Sequence, residues 1–163
     1  MMRLGFVLSV MLGLASVPTP APVAAEDVAG VTGAGEAIFS AGATLSGLSL
    51  SGLTLGQGVS LAQDGSATGQ FQAVLYGTSL LGARQEVTVE GEVRNGFVIG
   101  VGSATFSGTA TVDMGDGTSP LPGVPFTVTA STGSLGLILG ATALPTASLS
   151  PRLPVEEIGR AHV

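Results

Sequence analysis

Carboxylates are the side chains through which this sequence could do chemistry. Glu86, Glu90 and Glu92 sit at even spacing in the stretch Gln85–Val101, QEVTVEGEVRNGFVIGV. On an extended strand that spacing puts all three on one face. Glu90 and Glu92 then stand roughly 7 Å apart by the strand rise, and retaining glycosidases hold their two acids about 5–5.5 Å apart. The same alternation, with Arg84 and Arg94 beside it, is also how the water-facing side of an antiparallel strand reads. The solvated face is the expectation. A glycosidase or a sugar-binding module would need aromatic platforms as well, and the chain has no Trp and a single Tyr, Tyr76.

Two other groups of oxygen-bearing residues stand out. Asp113 and Asp116 in DMGDGT are candidate calcium ligands, but two carboxylates without several carbonyls are too few, and Asp-Gly is ordinary tight-turn chemistry. Thr109, Thr111, Thr127 and Thr129 would face outward together if their strands pair. Threonine also fills solvent-facing strand positions simply because its branched Cβ suits them. That simpler account is the expectation.

Subtraction removes most other chemistry. The chain has no Cys and no Lys, and its only histidine, His162, lies in a terminal segment expected to be no part of the domain. A Ser-His-Asp triad, a thiol nucleophile, a Schiff-base lysine and the usual zinc ligand sets are therefore out of reach. Neither GxxxxGK[ST] nor a GxGxxG placed between a strand and a helix occurs. No catalytic, cofactor-binding or metal-ligating set is assigned, and no cofactor is expected.

Both ends of the chain read as something other than folded domain. Met1-Met2-Arg3, the apolar run Leu4–Val17 and the small residues Val23-Ala24-Ala25 have the layout of a secretory signal peptide cut after Ala25. The apolar run is too short to span a bilayer, and no integral membrane span is expected after cleavage. Glu157–Val163, EIGRAHV, resembles the translation of a sequencing-library adapter that runs into a stop codon. These seven residues, His162 among them, are expected to be read-through, with the natural domain truncated near Glu156. Residues 26–156 hold ten acidic residues against three arginines (Arg84, Arg94, Arg152), a net charge of −7. An acidic surface without a basic cluster argues against nucleic acid and against anionic membranes. Arginine as the sole basic residue, with abundant Gly and Ala, suggests a GC-rich bacterial genome. An exported chain of this length without cysteine must hold its core by packing alone.

The elements that position these residues read as β throughout. Residues 26–35 are expected to form a flexible or edge-pairing arm, and Glu36–Leu45 a first strand with Phe39 inward. Leu48 and Leu50, then Leu53 and Leu55, alternate with opposite parity, which predicts a bulge near Gly52. After a turn at Asp64-Gly65, Phe71, Ala73 and Leu75 share one face and Gln70, Gln72, Val74 and Tyr76 the other. Asn95-Gly96 carries the strongest short hairpin signal, predicting a turn with Val93 opposite Phe97 and a bulge at Gly96. In that register Phe97, Ile99 and Val101 join Val89 and Val93 on the core face. Ala104, Phe106, Ala110 and Val112 continue with shifted parity after a bulge near Gly102-Ser103. Phe126 and Val128 point inward, and Leu135–Leu144 forms one further strand.

The fold class is therefore all-β, an antiparallel β-sandwich or barrel of about eight strands after an N-terminal signal peptide. Residues 36–156 form a single domain. The leading expectation for function is an exported, non-catalytic structural or interaction module of the cell envelope or exterior, with a protein or polymer partner. A carrier of a small apolar ligand in the β interior comes second, and a carboxylate-dependent hydrolase third.

Overall fold

The computed structural model describes residues 27–150 and 155–157, with side chains described for 29–146. The expected signal peptide (1–25) and residues 158–163 lie outside them. The described elements are β1 (Asp27–Phe39), β2 (Thr44–Leu45), β3 (Leu48–Ala62), β4 (Ser66–Thr78), β5 (Arg84–Gly100), β6 (Ser103–Asp113), β7 (Leu121–Ser131), β8 (Ser134–Leu139), β9 (Thr142–Ser150) and β10 (Val155–Glu157). From β3 to β9 each strand pairs antiparallel with the next, and β1 pairs with β3 on one edge and with β9 and β10 on the other. The sheet thus closes into an eight-stranded up-and-down barrel, with β2 as a short addition folded onto β3. Closure leaves no long exposed edge.

Strict alternation builds the interior. Phe71, Ala73 and Leu75 of β4, Val87, Val89 and Val93 of β5, Phe106, Ala110 and Val112 of β6, and Phe126 and Val128 of β7 are all buried, as is Phe39. The Phe71 ring stacks on Phe126 (centroids 5.7 Å apart, 20° between planes) and meets Phe106 at 6.2 Å and 58°. The outward set is mainly Ser, Thr, Gln and Glu, with Ile38, Val74, Tyr76 and Ile138 among them. The expected irregularity near Gly52 is present as a register shift between Leu50 and Gly52. The Asp64-Gly65 turn is present too, with Gly65 at φ 83°.

Five expectations need correction. Glu36–Leu45, expected as one strand, is divided: β1 ends at Phe39, and Thr44–Leu45 is β2 beyond a turn. The stretch 27–35, expected as a flexible or edge-pairing arm, is the first part of β1 and pairs with β3. Ala29 and Val31 are fully buried there and Gly33 and Gly35 continue the inward parity with minimal bulk, so the segment pairs rather than frays. Leu135–Leu144 is not one strand: Gly140, at φ 60°, turns β8 back into β9. The parity change before Ala104 comes from register shifts inside β5, between Val93 and Asn95 and between Val98 and Gly100, not from a bulge near Gly102-Ser103.

The largest correction concerns Asn95 and Gly96, which form no turn and lie inside β5. Asn95 pairs with Ser66 on one side and Ser107 on the other, and Val93 faces Gly108 rather than Phe97. The turn is Val101-Gly102, where Gly102 supplies the left-handed backbone at φ 67°. Glycine is needed at 96 for space instead. A Cβ there would lie 2.6 Å from Leu61 Cδ2 and 2.8 Å from the Thr105 carbonyl oxygen. Alternation cannot separate the two registers, because Val89, Gly91 and Val93 face inward in both. The later turn wins by letting all of β6 pair along β5. The register shift between Val93 and Asn95 reverses the parity of β5, so that Gly96 faces inward and Phe97 pairs with outward-facing Thr105; Phe97, Ile99 and Val101 lie outside the core.

Candidate functional site

The carboxylates expected on one face do share it, on the outside of the barrel. Lateral register runs Gly56–Gln72–Glu90–Thr111 and, one rung along, Gly58–Gln70–Glu92–Thr109 across β3 to β6. Glu86 lies beside Tyr76, whose hydroxyl is 3.2 Å from Thr54 Oγ1. Glycines on the outward side of β3 leave a shallow depression of about 250 Å³ lined by Thr54, Gly56, Gln72, Val74, Thr88 and Glu90. Gln70, Gln72, Glu90 and Glu92 border a second of about 230 Å³.

This arrangement lacks what acid–base catalysis needs. A working pair requires two environments that drive one carboxyl to hold its proton and the other to lose it. Glu90 and Glu92 are both exposed, on the same wall. Glu92 meets Arg94 at 3.3 Å, in a pair whose side chains are both largely exposed. Such surface pairs contribute about 0–1 kcal/mol. Among the described residues, no group of three or more His, Cys, Asp or Glu side chains comes together.

Asp113 and Asp116 each serve their own turn. Asp113 Oδ1 accepts the Gly115 N–H at 2.9 Å, and Asp116 Oδ1 accepts the Thr118 N–H at 2.9 Å and its hydroxyl at 2.6 Å. The Thr118 hydroxyl, then its N–H, hold the Asp116 carboxyl below the usual carboxylate range. Ser66 does the same to Asp64 on the β3–β4 turn. Thr109, Thr111, Thr127 and Thr129 face outward on the paired strands β6 and β7. Thr129 lies opposite Thr105 and Thr127 opposite Ser107, while Thr109 faces Pro125. Part of this array is locally engaged, since Thr105 Oγ1 donates to the Val128 carbonyl at 3.1 Å and Ser103 Oγ to that of Ala130 at 3.3 Å.

The surface features that sequence reasoning missed are apolar. At one end of the barrel Phe97, Val98, Ile99 and Val101 are 58, 42, 55 and 108 % exposed on the β5–β6 hairpin. At the other end Leu80 and Leu81 project from the β4–β5 turn, 92 and 97 % exposed. That turn is ordered by hydrogen bonds from the Gly82 N–H to the Ser79 carbonyl (2.9 Å) and from the Ser79 N–H to the Ala83 carbonyl (2.8 Å). A signal was available for the first cluster. Phe97-Val98-Ile99 are three consecutive apolar residues, and a strand with one buried face can hide only alternate ones.

Comparison with known proteins finds no match to a family model, a curated protein or a solved structure. The described residues include no helix long and apolar enough to cross a membrane.

Proposed function

We propose that this protein is an exported, non-catalytic interaction module that works outside the cytoplasm, in the cell envelope or beyond it. The observation that carries the reading is the apolar cluster Phe97, Val98, Ile99 and Val101 held out in water on a paired hairpin. Exposed apolar side chains gathered at one place mark contact surfaces. Glu90 and Glu92, by contrast, border only shallow depressions on a polar outer wall and are both exposed, which supports the non-catalytic half of the proposal. The acidic wall also disfavours nucleic acid as a partner. Export rests on the signal-like layout of Met1–Ala25.

A carrier role has less support. It asks for an enclosed apolar volume of some 300 Å³, and the Phe71–Phe106–Phe126 cluster with its Leu and Val neighbours occupies the middle of the barrel. Binding of the full chain to isolated bacterial cell envelopes tests the leading reading. Ile99→Asp and Val101→Asp should abolish retention, with the circular dichroism spectrum unchanged. Glu90→Gln and Glu92→Gln should leave retention intact. Equal retention of the two Asp variants and the unaltered chain refutes the tip as the contact.

A further inference from the structure

The form of the β5–β6 tip says what it contacts. Asn95 pairs with Ser66, the first residue of β4, and beyond it β5 continues to Gly100 paired only with β6. Along the strand, at about 3.3 Å per residue, the hairpin extends roughly 15 Å past the β3–β4 turn, with the β7–β8 turn beside it through Ser103↔Ser131. No charged residue occurs from Gly96 to Val112. Beyond Asn95 the ladder runs to Gly100↔Ser103 with one irregularity, at Ile99 between Val98 and Gly100, before the Val101-Gly102 turn. A hairpin whose backbone groups satisfy one another can enter an apolar medium without leaving them unpaired.

We propose that this tip inserts into the interfacial layer of a lipid bilayer, with the barrel standing end-on above it. The inference rests on the interaction-module reading and names the partner of that same surface. The charge distribution favours lipid over a second copy. Glu36, Glu86, Glu90 and Glu92 stand on the side wall of an acidic chain, which disfavours side-on contact with a membrane or with a like-charged copy and leaves the uncharged tip as the leading surface.

The absence of tryptophan from the chain makes the test clean. Phe97→Trp places a single fluorophore at the tip, and Tyr76→Trp places one on the polar wall. With phosphatidylcholine vesicles at millimolar lipid, the Phe97→Trp emission should shift to shorter wavelength and become open to quenchers within the bilayer. The Tyr76→Trp emission should stay unchanged. Adding Ile99→Asp to Phe97→Trp should reduce partitioning about tenfold or more, on the scale of one buried aliphatic side chain. Because insertion is driven by apolar contact, raising the salt should leave it unaltered. An unchanged Phe97→Trp emission at saturating lipid overturns the proposal. So does a blue shift that grows with protein concentration in the absence of lipid, which assigns the tip to a second copy. Retention on envelopes without binding to pure vesicles removes lipid as the partner and leaves the interaction-module reading standing.

Discussion

Gly91 is where the packing of the barrel interior can be tested most sharply. It faces inward on β5 between Val89 and Val93, and a Cβ built there would lie 2.7 and 2.8 Å from Cε1 and Cζ of Phe126. The Phe126 ring has little freedom to move away, because it is stacked 5.7 Å from Phe71, which in turn contacts Phe106. Two effects oppose each other in Gly91→Ala. Restricting the unfolded chain stabilises by about 0.4–1 kcal/mol, whereas forcing extra volume into a packed core costs about 1–3 kcal/mol. The second should win, for a net loss of roughly 1–2 kcal/mol. Gly56→Ala provides the control. Gly56 lies on the outward face of β3 with nothing within 4 Å of the added carbon, so only the favourable effect remains. In equilibrium urea denaturation, Gly91→Ala should lower the midpoint by about 0.5–1 M and Gly56→Ala should leave it level or raise it. Phe126→Leu in the Gly91→Ala background should cost less than the two changes measured separately, by about 0.5 kcal/mol or more, since they contend for one volume. Equal midpoints for Gly91→Ala and Gly56→Ala, or strict additivity with Phe126→Leu, would refute the reasoning.

Position 95 tests the register of β5. As a paired strand residue Asn95 should tolerate Asn95→Thr within about 0.5 kcal/mol, while Gly102→Ala, at φ 67°, should cost about 1 kcal/mol or more in the same urea assay. The reverse ranking would return the turn to Asn95-Gly96. Gln57 is the one buried polar side chain in the described core, 8 % exposed, and neither its amide nitrogen nor its amide oxygen has a hydrogen-bond partner among the described residues. Gln57→Leu should therefore raise the thermal midpoint, by an amount corresponding to about 1 kcal/mol, and a fall in the midpoint would mean that the amide is satisfied in solution. Thr118→Val removes the hydroxyl that holds the Asp116 carboxyl down, so NMR titration of Asp116 should move upward toward its ordinary value of 3.8. The depressed value in the folded chain means that the turn's contribution is present above the unfolded pKa and is lost as the pH falls through the folded one. The Thr118→Val chain should show less of that acid-side loss.

What the sequence made legible, and what it hid, divides along a physical line. Period-two alternation encodes which face a residue occupies, and every parity assignment from Phe71 to Val93 and from Ala104 to Val128 matches the barrel. Glu90 and Glu92 were placed on water by that argument alone. Register is a different quantity. It depends on which turn closes the hairpin, and at Asn95-Gly96 a strong local preference lost to the pairing available along the whole of β6 and to the space Gly96 must leave for Leu61 and Phe106. Closure is more remote still. Ala37 of β1 lies between Leu53 and Leu149, and no local pattern near Ala37 specifies a neighbour that far along the chain. Pairing of this kind must form against a large loop-closure entropy, which places it late in folding. Before β1 is in place, β3 and β9 present open edges; Glu36–Phe39 covers β9, and the glycine-rich, weakly amphipathic run Asp27–Gly35 covers the far half of β3. A sequence reader sees in that run too little side chain for a strand. The barrel uses it because small side chains there fit the last gap against an interior that β3 to β9 have already filled.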